Sequence, residues 1–256
     1  MIRILTVRGM PTGLPAVLMV VALVLGACTS DSNADDAESA GDNGSTTSDA
    51  PTKRPIYSPE AGEVFELPQD QRWATMRQGR YAVEVTPSMS YEVDVPDQWS
   101  VFLGRFLNTP PSGANSIFFV GPAPADATEL PQQPCLQPSG APVGPTVSDL
   151  ANGLRSQPVL EVSRPTPVTL DGNHGLYVEL RIPDEVDSGA CVDDTVALFS
   201  TGSDEWGWTE GFVGRWWILD VDGERIVVMP QCDATCTKDD FDTLTRMAES
   251  VTFTEE

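Results

Sequence analysis

The sequence predicts an α+β domain built on a mostly antiparallel sheet, and three features predict it. Apolar and polar residues alternate in several short runs, as strands with one buried face require. Two Asp-Gly pairs, Asp171-Gly172 and Asp222-Gly223, separate such runs and suit tight hairpin turns that need positive φ. Helical spacing is confined to two short segments.

Taken in order, residues 55–79 hold scattered apolar side chains and are expected to wrap the domain edge. Residues 80–85 and 90–95 alternate and read as strands, with Thr86-Pro87-Ser88 as the break. Residues 99–103 and 116–120 continue the sheet, whereas residues 122–145 contain seven prolines and read as a long loop. Residues 145–155 read as a short helix, because Val147, Leu150 and Leu154 share one face. Strands at 167–170 and 176–182 flank Asp171-Gly172, and residues 195–200 add another. The clearest hairpin joins 216–221 to 224–229 through Asp222-Gly223. Residues 238–249 then form an amphipathic helix with Phe241, Leu244, Met247 and Ala248 on one side, and a strand at 250–253 closes the domain. These elements add up to a sandwich with one continuous core.

The N-terminal segment has another character. Arg3 and Arg8 precede an apolar run from Leu14 to Ala27, and the first acid is Asp31. A run of 14 residues is short for a bilayer span, at roughly 20 residues needed, and fits a signal peptide over residues 1–27. Its end, Leu25-Gly26-Ala27-Cys28, resembles the bacterial lipobox. That resemblance implies cleavage before Cys28 and a diacylglyceryl group on its thiol, and two acyl chains give stable membrane anchoring. Residues 28–54 form an acidic Ser/Thr/Asp tether with no large apolar side chain, expected to stay disordered. It would hold residues 55–256, a single extracytoplasmic domain, about 25–30 Å from the outer face of the cell membrane, in the cell-wall space.

Charge narrows the partners. The chain has 38 acidic and 15 basic side chains, a net charge of -23, and residues 55–256 alone hold 32 and 11. Such a domain repels nucleic acid and stands off an anionic bilayer, so uncharged or cationic partners are expected. An envelope glycan, a lipid or a protein fits that description. Beyond Cys28 there are four cysteines, an even number that implies two disulfides in an oxidising compartment. The expected pairs are Cys135–Cys191 and Cys232–Cys236, the latter only four residues apart beside a turn. A four-thiolate metal site is the rival, disfavoured because Cys135 and Cys191 stand alone.

Catalytic signatures are sparse. His174 is the single histidine and sits in a turn, and Gly-x-Ser-x-Gly, P-loop and His-Glu-x-x-His patterns are absent. Asp220, Asp222 and Gly223 lack the later ligands of a calcium loop and read as turn chemistry. Asp193-Asp194 and Asp239-Asp240 are the carboxylate pairs from which a glycosidase would need two groups across a cleft. No cofactor or metal is expected. Trp206, Trp208, Trp216 and Trp217 crowd together and are the candidate ligand-binding residues. Strand alternation sends Trp216 and Trp217 to opposite faces, so one of them lies outside the main core unless a helix or loop covers it, and a sandwich core with an aromatic lid is the alternative to an exposed site. An exposed aromatic platform would stack on a sugar, a polymer or a lipid.

The run Tyr91-Glu92-Val93-Asp94-Val95-Pro96-Asp97-Gln98-Trp99 is similar to the opening of PsbP-like domains. The ending, a Trp-x-Leu-Asp-Val-Asp-Gly hairpin, a helix and Ser250-Val251-Thr252-Phe253, resembles the same superfamily, including actinobacterial lipoproteins that carry it. The resemblance spans residues 81–253 and implies a PsbP-like sandwich. It also implies a non-catalytic binding or assembly role, but no functional residue. The sequence therefore points to a membrane-anchored, non-catalytic lipoprotein binding an envelope ligand or protein partner. The alternatives are an envelope hydrolase with a carboxylate pair and a structural or assembly subunit.

Overall fold

The segment Ile226-Val227-Val228-Met229 does not alternate, and a strand of that kind must bury both faces. In the computed structural model it lies in the middle of a ten-stranded sheet. The structure describes residues 54–69, 73–109, 116–124, 128–135, 137–201 and 204–255. The expected signal peptide, the lipobox-like run ending in Cys28 and the expected tether up to residue 53 lie outside the described residues.

The central sheet runs β1 (Ile56–Tyr57), β3 (Trp73–Met76), β6 (Trp99–Phe102), β7 (Phe106–Asn108), β8 (Ser116–Pro122), β17 (Glu224–Cys232), β16 (Val213–Val221), β13 (Asn173–Arg181) and β11 (Glu161–Val162). Strand β12 (Thr166–Leu170) also pairs with β13. A second sheet, ordered β18 (Thr252–Glu255), β5 (Met89–Val95), β4 (Gly79–Thr86) and β2 (Val64–Glu66), packs on one face with helix α2 (Lys238–Glu249). A third sheet, ordered β10 (Gln137–Pro142), β9 (Thr128–Gln133), β14 (Val196–Thr201) and β15 (Asp204–Trp208), packs on the other with helix α1 (Val147–Arg155). The pairs β1–β3 and β2–β4 are parallel, and the remaining ladders are antiparallel. The fold is α+β and sheet-dominated, as the sequence predicts.

Two cores replace the single one expected. From β17, Ile226, Val228 and Cys232 join the first core, with Tyr81, Tyr91, Leu244 and Met247. Val227 and Met229 of the same strand join the second, with Leu150, Leu154, Leu198 and Phe199. Strand β16 divides likewise, Trp217 and Leu219 to the first and Trp216 and Ile218 to the second.

The stretch 122–145 is not a long loop, because it contributes β9 and β10. Its prolines hid the strands, and each is placed where a missing N–H does little harm. Pro138 and Pro142 lie on the edge strand β10. Pro131 in β9 pairs with Gly140, beyond the short stretch at Thr128 and Glu129 where β14 pairs. Residues 55–79 also do more than wrap an edge, since they supply β1, β2 and β3.

Local signals elsewhere match their elements. The β16–β17 turn holds Asp222 at φ 51° and Gly223 at φ 86°, and the Asp220 carboxylate accepts the Gly223 N–H at 2.9 Å. Both helices open with a Thr-x-x-Asp capping box: Thr146 with Asp149, and Thr237 with Asp240. The Asp149 carboxyl is held below its ordinary range by the backbone and hydroxyl bonds from Thr146. Arg225, 6% exposed, projects from β17 and donates to the carbonyls of Ala123 at 2.7 Å, Gly144 at 2.6 Å and Thr146 at 2.9 Å. One guanidinium thus ties both ends of the β9–β10 excursion, and the start of α1, to the central strand.

The cysteines pair as Cys135–Cys191 and Cys232–Cys236. They join residues 56 and 4 positions apart in sequence. Loop-closure entropy makes the first worth roughly 4 kcal/mol and the second roughly 2 kcal/mol. Replacing Cys135 and Cys191 by alanine should therefore lower stability more than replacing Cys232 and Cys236, by about 2 kcal/mol in chemical denaturation. Equal losses would show that loop size does not govern these bridges.

Candidate functional site

The third sheet makes no ladder to the central one and rests on it through side chains. What it rests on is aromatic. Trp206 of β15 stacks on Phe199 of β14 with centroids 5.7 Å apart and planes 3° from parallel. It also meets Phe106 at 5.6 Å and Phe119 at 4.8 Å, both from the central sheet. Phe199 in turn meets Trp216 edge-on at 5.3 Å, and Trp208 tilts against Phe212 at 5.0 Å.

Three of the four candidate tryptophans, Trp206, Trp208 and Trp216, therefore share one compartment. Trp217 faces the opposite core, against Tyr177 at 5.0 Å. The alternation expected for Trp216 and Trp217 holds, but both are buried, at 1% and 7% exposure. A covering layer on each face of the central sheet is the reason. Trp208 is buried too and Trp206 is half-buried, so these residues present an internal aromatic cluster in place of an exposed platform.

Polar atoms inside this cluster lack partners. Among the described residues, Trp206 Nε1, Trp216 Nε1 and both amide atoms of Gln231 are buried without a hydrogen bond. Strand parity places Gln231 on the same face as Val227 and Met229, and it pairs with Gly214 and Ile117. The Trp216 Nε1 lies 2.8 Å from where a Cβ on Gly214 would sit. Trp216 thus folds over the glycine directly opposite Gln231. Buried polar groups are almost always bonded, and each exception calls for a reason. The sequence reading missed Gln231, although one amide in the apolar run 226–232 was a visible signal.

The other sequence candidates separate. His174 stands exposed on β13, not in the turn, with Nδ1 3.0 Å from the Thr169 hydroxyl. Asp239 and Asp240 occupy the first turn of α2, where acids favour the helix dipole, and Asp240 is the capping residue. Asp193 and Asp194 are exposed in the turn after Cys191, at φ 57° and 56°. Asp193 interacts instead with Glu205 of β15, whose carboxyl is pushed above its ordinary range by burial and then by that neighbour. Among the described residues no group of three or more His, Cys, Asp or Glu side chains has metal-binding geometry, and no helix is long and apolar enough to cross a membrane.

Comparison with known proteins finds no matching family model, no matching curated protein and no matching solved structure. The site is therefore defined by its own geometry.

Glu205 gives a pH signature. Its folded pKa lies above the unfolded one, so stability from this group is full at low pH and is lost as pH rises through the folded value. Glu205→Gln should raise the melting temperature at neutral pH, and the difference from wild type should close as pH falls toward about 4. A pH-independent difference would mean that Glu205 titrates as a solvated carboxyl.

Proposed function

We propose that the protein is a lipid-anchored extracytoplasmic module that binds an uncharged envelope ligand or a protein partner without acting on it chemically. The observation that carries this reading is Leu25-Gly26-Ala27-Cys28, at the junction between an apolar segment and a polar acidic tether. An anchor of that kind is needed only if the folded part works beside the membrane on its outer side. Two disulfides in the described residues fit an oxidising compartment. The similarity to PsbP-like domains, most of them binding or assembly subunits, points the same way.

The carboxylates support binding better than hydrolysis. Asp149 and Asp240 are spent on helix caps and Asp220 on a turn. The Asp193 and Glu205 pair sits on an outer loop and the outer sheet, away from Gln231 and Gly214 on the central one. With an acidic domain, an anionic substrate would also be repelled on approach.

Cys28→Ala tests the anchor. The variant should lose membrane association and acyl labelling, and should be found in the medium or as uncleaved precursor, while wild type stays in the membrane fraction. Unchanged acyl labelling of the variant would overturn the reading.

A further inference from the structure

The two cores differ in how they treat polar atoms. Among the described residues, seven buried side-chain atoms have no hydrogen-bond partner. One, the Tyr91 hydroxyl, belongs to the first core. Four belong to two indoles and one amide gathered under the third sheet: Trp206 Nε1, Trp216 Nε1, and Gln231 Oε1 and Nε2. Leaving such groups unsatisfied costs stability, and an apolar residue of similar shape would avoid it. Trp216 lies over Gly214 opposite Gln231 on the central sheet, while Trp206 reaches the Phe199 and Phe119 rings from the covering sheet; retaining these three polar side chains is chemistry without a structural purpose in the protein alone.

The balance of donors and acceptors states what would satisfy them. An indole N–H donates and cannot accept, whereas an amide donates through Nε2 and accepts through Oε1. The lining is thus rich in donors and poor in acceptors. It is otherwise aromatic, and the nearest cationic side chain on that face of β17, Arg225, lies six residues away, about 20 Å along the strand. That arginine gives Nε and Nη1 to three carbonyls, and its Nη2 is buried without a partner. Arg105 lies over the Phe106 ring at 5.2 Å, but the domain as a whole is strongly acidic and turns a carboxylate or phosphate away. A carbonyl on an apolar skeleton meets each requirement.

We infer that the compartment between the central sheet and the β10–β9–β14–β15 sheet binds an uncharged apolar molecule through its carbonyl oxygens, with Trp206, Trp216 and Gln231 as the polar contacts. This rests on the binding reading above and names its ligand class. The layering leaves a route, because no strand ladder joins the outer sheet to the central one and Arg225 ties down only the ends of the β9–β10 excursion and the start of α1. The Cys135–Cys191 bridge lies within that outer layer, where Val192 N–H donates to Cys135 O and Ala197 N–H to Pro134 O, so it stiffens the cover without fastening it to the sheet below. Strand β14 also carries a register shift between Ala197 and Phe199, next to the ring that bridges the two indoles.

The test uses the full chain in maltoside detergent with two carbonyl-bearing probes, a dibrominated diacylglycerol and a prenylated naphthoquinone. Both quench indole fluorescence on contact. At least one should quench wild type saturably and raise its melting temperature. Quenching by the ester alone assigns the compartment to a lipid, and by the quinone alone to a redox carrier. Gln231→Leu should melt higher than wild type without a probe, yet bind the probe about tenfold more weakly, the effect of one lost hydrogen bond. Trp216→Phe, which keeps a ring and removes a donor, should weaken binding in the same sense. Failure of both probes on wild type, or unchanged affinity in both variants, would overturn the inference. Membrane retention and acyl labelling at Cys28 are read separately, so that failure would leave the anchored binding module standing.

Discussion

Everything in this fold depends on the central sheet being buried on both faces. Strand β17 sets that condition, because Ile226 to Met229 offers apolar side chains alternately to each side. A sheet of this kind exposed on either face would leave a large apolar surface in water, at about 25 cal/mol per Å². Two covering layers are the physical answer, each with a four-stranded sheet and one helix. The helices are amphipathic and short, and their buried residues are those of one stripe: Leu150, Ala151 and Leu154 in α1, Leu244, Met247 and Ala248 in α2. The layers meet the central sheet mainly by packing, and the first layer adds bonds from the Tyr81 hydroxyl to the Tyr57 carbonyl, from Arg215 to the Thr245 hydroxyl and from the Phe253 N–H to Asp171. Arg225 is the one polar fastener that reaches from the middle strand into the chain leading to a cover.

Local signals in the sequence carried the parts that local physics decides. Asp222-Gly223 made its hairpin because both positions need positive φ, and Thr237-x-x-Asp240 opened a helix because it satisfies orphan donors. Four cysteines allow three pairings and the sequence does not choose among them; the one favoured because Cys232 and Cys236 stand four apart beside a turn is the one observed. The third layer was not legible, because its strands are written in proline: Pro131, Pro138 and Pro142 are tolerated only for the ladders they happen to miss. Without that layer a single core was the natural expectation. One of Trp216 and Trp217 then lay outside that core unless a helix or loop covered it. The parity argument was sound, and the burial of both residues came from a long-range partner that no local pattern announces.

The candidate site shows the same division. Crowding of tryptophans between 206 and 217 was visible, and three of the four do assemble in one place. Their setting was not visible, since a platform and a chamber share the same sequence until the cover is known. The acidic side chains mislead in the opposite direction. Adjacent pairs suggest catalysis, whereas the structure assigns Asp240 to a cap and brings Asp193 toward Glu205, a residue twelve positions further on.

A stable domain with polar atoms left idle inside one of its cores is a departure from the rule that local and global choices agree, and such departures gather at functional sites. The asymmetry sharpens the point. The first core, closed by α2 and the β18–β5–β4–β2 sheet, carries a single orphaned hydroxyl at Tyr91. Among the described residues the second carries the Trp216 indole over Gly214 opposite Gln231, and the Trp206 indole against Phe119 and Phe199, under a sheet that no ladder fastens down. If stability alone had shaped both, leucine at 231 and phenylalanine at 216 would serve better. A donor-rich, largely aromatic interior is useful when something apolar with oxygen acceptors takes its place there. That demand is also what the acidic exterior leaves open, since it admits neutral molecules and turns anions away.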